Sequence, residues 1–165
     1  MPKAIPKGYH SVTPSFTFKD SQKALNFYKK AFGAKVLGTF PNLMGGKGLM
    51  HAVMQIGDSM IMMGDEMPGM KCESAETMGG SPVSFFIYVP NVDAAFKKAL
   101  AAGAKVEMSV TDQFWGDRAG SVKDPFGHSW MIATHKHDYT KAQVKKNAMD
   151  FFAKMKNGSH AGCEA

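Results

Sequence analysis

His51, Gln55, Trp115 and Arg118, with the aromatic pair Phe86 and Tyr88, are the side chains whose type and placement offer chemistry in this sequence. In LMHAVMQI, residues two apart share one face of a strand, so Met50, Ala52, Met54 and Ile56 turn one way and His51, Val53 and Gln55 the other. An imidazole on an open face can hydrogen-bond a ligand or act as general acid or base near neutral pH, which makes His51 the candidate catalytic residue. A structural histidine satisfied by the backbone has the same signature. Arg118, in FWGDR, can present a bidentate fork to a ligand carboxylate or phosphate, or fix its own loop by pairing with Asp117 or Asp124. Phe86 and Tyr88 share a strand face and supply either an aromatic wall for a planar or apolar ligand or ordinary core. No Ser/His/Asp order, nucleophile elbow, zinc-ligand spacing or dinucleotide fingerprint accompanies them. NLMGGKG lacks GxxxxGK[ST] and reads as a turn, not a phosphate cradle.

The elements that position these residues are announced by a repeat. Residues 16–36, FTFKDSQKALNFYKKAFGAKV, and 86–106, FIYVPNVDAAFKKALAAGAKV, follow one pattern and share GAKV. In the first, Ala24, Phe27, Tyr28, Ala31 and Phe32 line a helical face between a cap at Asp20 or Ser21 and a stop at Gly33. Val92, Ala95, Phe96, Ala99 and Leu100 do the same between Asn91 and Gly103. Each helix follows a β-like run, TPSFTF or VSFFIYV, and precedes a strand beginning at GAKV. Further strands are predicted at about 48–56, 58–64, 117–123 and 128–135. The fold class is therefore α+β: two βαβββ modules, about 8–66 and 82–136, forming a curved mixed sheet with helices on one face and an open cleft on the other. Together they make a domain over 1–138. A C-terminal helix over 139–157 follows, capped by Thr140 and Gln143 and striped by Val144, Ala148, Phe151, Phe152 and Met155, with a disordered tail at 158–165.

Composition bounds the partners. The 165 residues suffice for a core without staples, and Cys72 and Cys163, far apart and outside any CxxC, suit free thiols in a reducing cytoplasm. The net charge of +6 is spread over Lys19, Lys23, Lys29, Lys30, Lys97, Lys98 and the C-terminal lysines, a solvated-face distribution that argues against nucleic acid. No apolar run reaches the ~20 residues of a membrane span. The fourteen methionines, nine of them between Met44 and Met78, fill irregular core or line a pliable binding surface.

The two βαβββ units, with FWGDR at 114–118 and DPFGH at 124–128, resemble the vicinal oxygen chelate superfamily and its PhnB-like branch. That superfamily includes glyoxalase I, extradiol dioxygenases, fosfomycin-resistance enzymes and bleomycin-resistance binding proteins. The resemblance implies divalent-metal ligands near Thr13, near Ile61 or Met62, at Ser84 and at Met131, none of which is a competent ligand here. No metal and no cofactor are therefore expected. From the implied positions Ser84 and Met131, strand alternation puts Phe86, Tyr88, Ser129 and Ala133 on the cleft side and sends His128 and Trp130 toward the helix layer. The expected ligand contacts are His51, Gln55, Ser84, Phe86, Tyr88, Trp115, Arg118 and Met131. The expected function is metal-free binding of a small molecule by a homodimer. The alternative is a lyase, isomerase or dioxygenase-type enzyme with an atypical or absent metal site.

Overall fold

The computed structural model describes residues 3–43 and 47–156. The expected tail at 158–165, Cys163, and the centre of NLMGGKG with Met44 lie outside the described residues. The chain divides into two compact units, Met1–Pro82 and Val83–Ala165.

In the first unit, β1 (Ser15–Phe18) leads into α1 (Ser21–Phe32), then β2 (Lys35–Pro41), β3 (Leu49–Ile56), β4 (Ser59–Asp65) and a short α2 (Ala75–Met78). The sheet order is β1-β4-β3-β2, with β1 parallel to β4 and the other pairs antiparallel. Asp20 caps α1 by accepting from the Lys23 amide, and Gly33 ends it in the left-handed region at φ 67°. The helix buries Ala24, Leu25, Phe27, Tyr28 and Ala31 against Phe16, Phe18, Ala52, Met54, Ile61 and Met63. Met54 and Met63 are thus core fillers. Between β3 and β4, Gly57 takes φ 60° while Asp58 stays negative, the type II′ pattern that suits the twist of a two-residue hairpin.

The second unit repeats this order: β5 (Ser84–Tyr88), α3 (Val92–Ala102), β6 (Lys105–Asp112), β7 (Asp117–Lys123), β8 (Ser129–His135), then α4 (Lys141–Lys156). Its sheet runs β5-β8-β7-β6, again with the first strand parallel to the last. Asn91 caps α3 through the Ala94 amide, and Gly103 ends it. The core beneath α3 holds Phe96, Ala99, Val122, Trp130 and Ile132. At Gly120 a Cβ would lie 2.9 Å from both the Phe96 ring and Val110, so the missing side chain lets α3 settle on the sheet.

Each predicted β-α-β-β-β order is present, and the strand bounds agree to within two residues. Helix α2 is an addition to the expected pattern: four residues are too few to show periodicity, yet Ser74 caps it through the Thr77 amide and Gly79 closes it. In α4, the Gln143 side chain accepts from the Thr140 amide and the Thr140 hydroxyl accepts from the Gln143 amide, so the capping box forms. The helix has no buried residue; Phe151 and Phe152 touch Phe114, while Met149 and Met155 stay exposed. No described helix is long and apolar enough to cross a membrane.

Candidate functional site

In the second unit, strand register decides what shares a face. Ser84, Phe86 and Tyr88 lie beside Ser129, Met131 and Ala133, and β7 sets Asp117 opposite His135 and Ser121 opposite Met131. These residues occupy the face turned away from α3. Phe86 is 48% and Tyr88 65% exposed, their rings 5.0 Å apart. Ser84 and Met131 flank them, Ser84 exposed and Met131 half-buried.

Asp117 ties this face together. Its carboxylate is buried at 3% exposure and accepts from three side chains: the Tyr88 hydroxyl at 3.0 Å and the Trp115 indole at 2.8 Å, both on Oδ2, and His135 Nδ1 at 2.7 Å on Oδ1. Burial pushes the Asp117 carboxyl up, but the bonds from His135, Trp115 and Tyr88 outweigh it and hold the group below the usual carboxylate range. Tyr88 is pushed above its ordinary value by burial and by donating to that carboxylate. His135 is raised by its bond to Asp117 and by a second one, 3.0 Å from Nε2 to Asp138, so that two carboxylates favour the imidazolium.

The loop that delivers Trp115 and Asp117 turns at Gly116, at φ 106°. A Cβ there would meet the His137 carbonyl oxygen at 2.3 Å, while the Gly116 carbonyl accepts from the Lys136 and His137 amides. Only glycine lets FWGDR lie this close to the end of β8.

Arg118 faces the other way. Its register partner Thr134 accepts from the Val92 amide at the start of α3, and the guanidinium binds Asp93 on that helix at 3.0 and 2.9 Å and Asp112 at 3.3 Å. These bonds raise Arg118 above its ordinary value. The expected links to Asp117 or Asp124 are replaced by Asp93 and Asp112, and the fork does not share the face of Phe86 and Tyr88. Parity explains this: position 118 falls with Gly120 and Val122, one residue out of phase with Asp117. Asp124 serves the DPFGH turn, accepting the Phe126 and His128 amides and the Trp130 indole. His128 is buried beside Phe85, and Trp130 is fully buried, both on the helix side as the alternation predicts.

In the first unit His51 is exposed and Gln55 half-buried, on the face opposite the buried Ala52, Met54 and Ile56. Thr13 precedes β1 instead of lying within it, and its hydroxyl donates to the His10 carbonyl. Ile61 is buried on the helix side and Met62 half-buried on the other. Thr13, Met62, Ser84 and Met131 offer alcohols and thioethers, a donor set that does not fit a hard or borderline divalent cation. The residue that sequence reasoning passed over is His135, together with the central place of Asp117. The available signal was a carboxylate on the helix-free strand face, in phase with Ala119 and Ser121, which burial obliges to find donors.

Comparison with known proteins agrees with this architecture. The sequence model of the Glyoxalase/Bleomycin resistance protein/Dioxygenase superfamily matches residues 10–132. An uncharacterized protein of Mycobacterium bovis is 41% identical over 125 residues, covering 74% of this chain and 81% of its own. Among solved structures, TioX from Micromonospora sp. ML1 superposes with a TM-score of 0.60 at 26% identity, covering 76% of this chain and 98% of its own. The PhnB protein of Bacillus cereus shares the fold at a TM-score of 0.59 and 18% identity, over 76% of this chain and 99% of its own. With more than half of its length matched, and with both βαβββ units in place, this chain belongs to the glyoxalase, bleomycin resistance protein and dioxygenase superfamily.

Proposed function

We propose that the protein binds a small planar or apolar molecule on the helix-free face of its second unit, without the superfamily's usual metal. The carrying observation is the exposed Phe86–Tyr88 pair, with the Tyr88 hydroxyl fixed by buried Asp117. Two large aromatic rings left to solvent on a sheet face are poised to be covered, and Asp117 holds one of them in a single orientation before a ligand arrives. Ser84, Met131 and Trp115 complete the surface with a hydroxyl, an adaptable thioether and an indole. His51 and Gln55 stand on the helix-free face of the first unit as further candidate contacts, whereas Arg118 is engaged elsewhere.

Thermal-shift screening of aromatic and anionic compounds tests this reading. Any hit should lose about 1–3 kcal/mol of affinity in Phe86→Ala and Tyr88→Ala, comparable to one uncovered ring. Undiminished affinity in both folded variants would place the ligand elsewhere. An enzymatic reading draws on Asp117 and His135, a carboxylate and imidazole that could exchange a proton with a ligand; turnover lost in His135→Gln with binding retained would support it. The chain is further proposed to act as a homodimer in the cytoplasm. The apolar side chains left exposed on α4 support self-association, and a monomer by light scattering at micromolar concentration would refute it.

A further inference from the structure

Core filling accounts for Met54 and Met63, but not for Met67 and Met70, which lie on the segment after β4; Met70 is 58% exposed. Met67, Pro68, Gly69 and Met70 form a turn in which the Met70 amide donates to the Met67 carbonyl at 3.1 Å and Gly69 takes φ 81°. Proline second and a left-handed glycine third are the residues a type II turn requires, and such a turn brings its first and fourth residues together. The backbones of Met67 and Met70 are therefore held close together. Two residues on comes Cys72, an exposed free thiol.

The segment is fastened at both ends. Glu66, at its start, accepts from the Ser74 amide at 2.7 Å and from the Thr77 hydroxyl, and the Ser74 side chain, the Thr77 hydroxyl and the Ser74 amide, in that order, lower its carboxyl to about 2. Met67, Met70 and Cys72 then line one pocket of about 270 Å³ with His51 from β3. Among the described residues, the His51 ring makes no hydrogen bond. The pocket's one carboxylate, Asp65, is already committed, with Oδ1 to the Ser21 amide and Oδ2 to the Leu49 amide. Beside the hydroxyl residues Ser15 and Thr17 and the strand methionines Met50 and Met63, the groups that the segment and His51 bring to this pocket are two thioethers, a thiol and an imidazole. Hard cations find no open oxygen anion there, whereas soft sulfur donors select a soft, monovalent ion.

We infer that Met67, Met70, Cys72 and His51 form a site for one copper(I) ion in the first unit. Binding converts the Cys72 thiol to thiolate and releases one proton, so the thiolate and the cation cancel in charge; the metal keeps its oxidation state. The site is built from residues of the first unit alone.

The test is anaerobic competition for copper(I) against bathocuproine disulfonate. The full chain is used with His160→Ala and Cys163→Ser, which removes the tail's own imidazole and thiol. One copper(I) per chain should be withdrawn from the chelator, with sulfur scattering at the copper X-ray absorption edge. Cys72→Ser, the double variant Met67→Leu with Met70→Leu, and His51→Ala should each weaken binding about tenfold or more. Methionine to leucine conserves volume, so the double variant should keep the fold, as circular dichroism would verify. No withdrawal of copper(I), a spectrum without sulfur neighbours, or undiminished affinity in any one of the three folded variants would overturn the assigned ligand set.

Discussion

Replacing Asp117 by Asn removes one charge and almost no volume, which makes it a direct probe of the hub on the second unit. An amide has one oxygen. If that oxygen takes the place of Oδ2, it keeps the Trp115 indole and the Tyr88 hydroxyl, and the amide NH2 then faces His135 Nδ1. The reverse orientation sets NH2 against the indole N–H, donor against donor. The first orientation should therefore prevail, and it obliges Nδ1 to accept, so the imidazole favours its neutral form. The bonds from Trp115 and Tyr88 fall from charge-assisted to neutral. That difference is about 1 kcal/mol for half-buried Trp115 and, discounted for solvent, about 0.5 kcal/mol for Tyr88. A loss of about 1.5 kcal/mol lowers the melting temperature by about 3–6 °C in a chain of this length. The pH dependence sharpens the test. Asp117 is held below its reference of 3.8, so its stabilisation is full above 3.8 and is lost as pH falls through the depressed folded value. His135 is held above 6.5, so its contribution is full below 6.5 and is lost as pH rises through the raised folded value. The gap between parent and Asp117→Asn should thus be widest between 3.8 and 6.5, narrow above, and close in strong acid, where protonated Asp117 resembles Asn. Urea unfolding followed by tryptophan fluorescence measures the gap, and NMR titration follows His135. A gap that stays constant from about pH 5 to about pH 2, or a His135 pKa unmoved by the substitution, would refute the arrangement.

Gly116→Ala should destabilise by about 1–3 kcal/mol or more, because its Cβ meets a backbone carbonyl that cannot yield; an unchanged urea midpoint would contradict the close approach of Gly116 to His137. Asp124→Ala should cost about 3 kcal/mol by leaving the buried Trp130 indole and two amides without their acceptor, read as a shift in the tryptophan unfolding curve. Thr140→Ala should reduce helicity at α4 with a loss of about 0.5–2 kcal/mol in local stability, measured by hydrogen exchange of the Val144 and Gln143 amides.

The fold was legible because its signals are local. Asp20 and Asn91 cap the helices, Gly33 and Gly103 stop them, and alternation in LMHAVMQI sorts Ala52 and Met54 from His51 and Gln55; each can be read within a dozen residues. The hub was not, because Tyr88, Trp115, Asp117 and His135 come from three strands and a loop, and only the pairing register sets Asp117 opposite His135. The partners of Arg118 were misread for the same reason. Asp124 lies close in sequence, but Asp93 is brought near by the way α3 crosses β7.

The order β1-β4-β3-β2, repeated as β5-β8-β7-β6, also governs how the chain can assemble. In each unit the first strand has one hydrogen-bonding neighbour, and that neighbour is the last strand made. The hairpin of β3 and β4 closes across the two residues Gly57 and Asp58, so it can form early from local contacts. β1 and α1 must wait for β4, with Ser15 meeting Met62 and Phe18 meeting Asp65 across a long intervening stretch. On a ribosome, Phe16, Phe18 and the apolar face of α1 would therefore stay uncovered until residue 65 has emerged, and the second unit would face the same delay until residue 135. A nascent chain halted just before either strand would expose its helix to chaperones, and one halted just after would not.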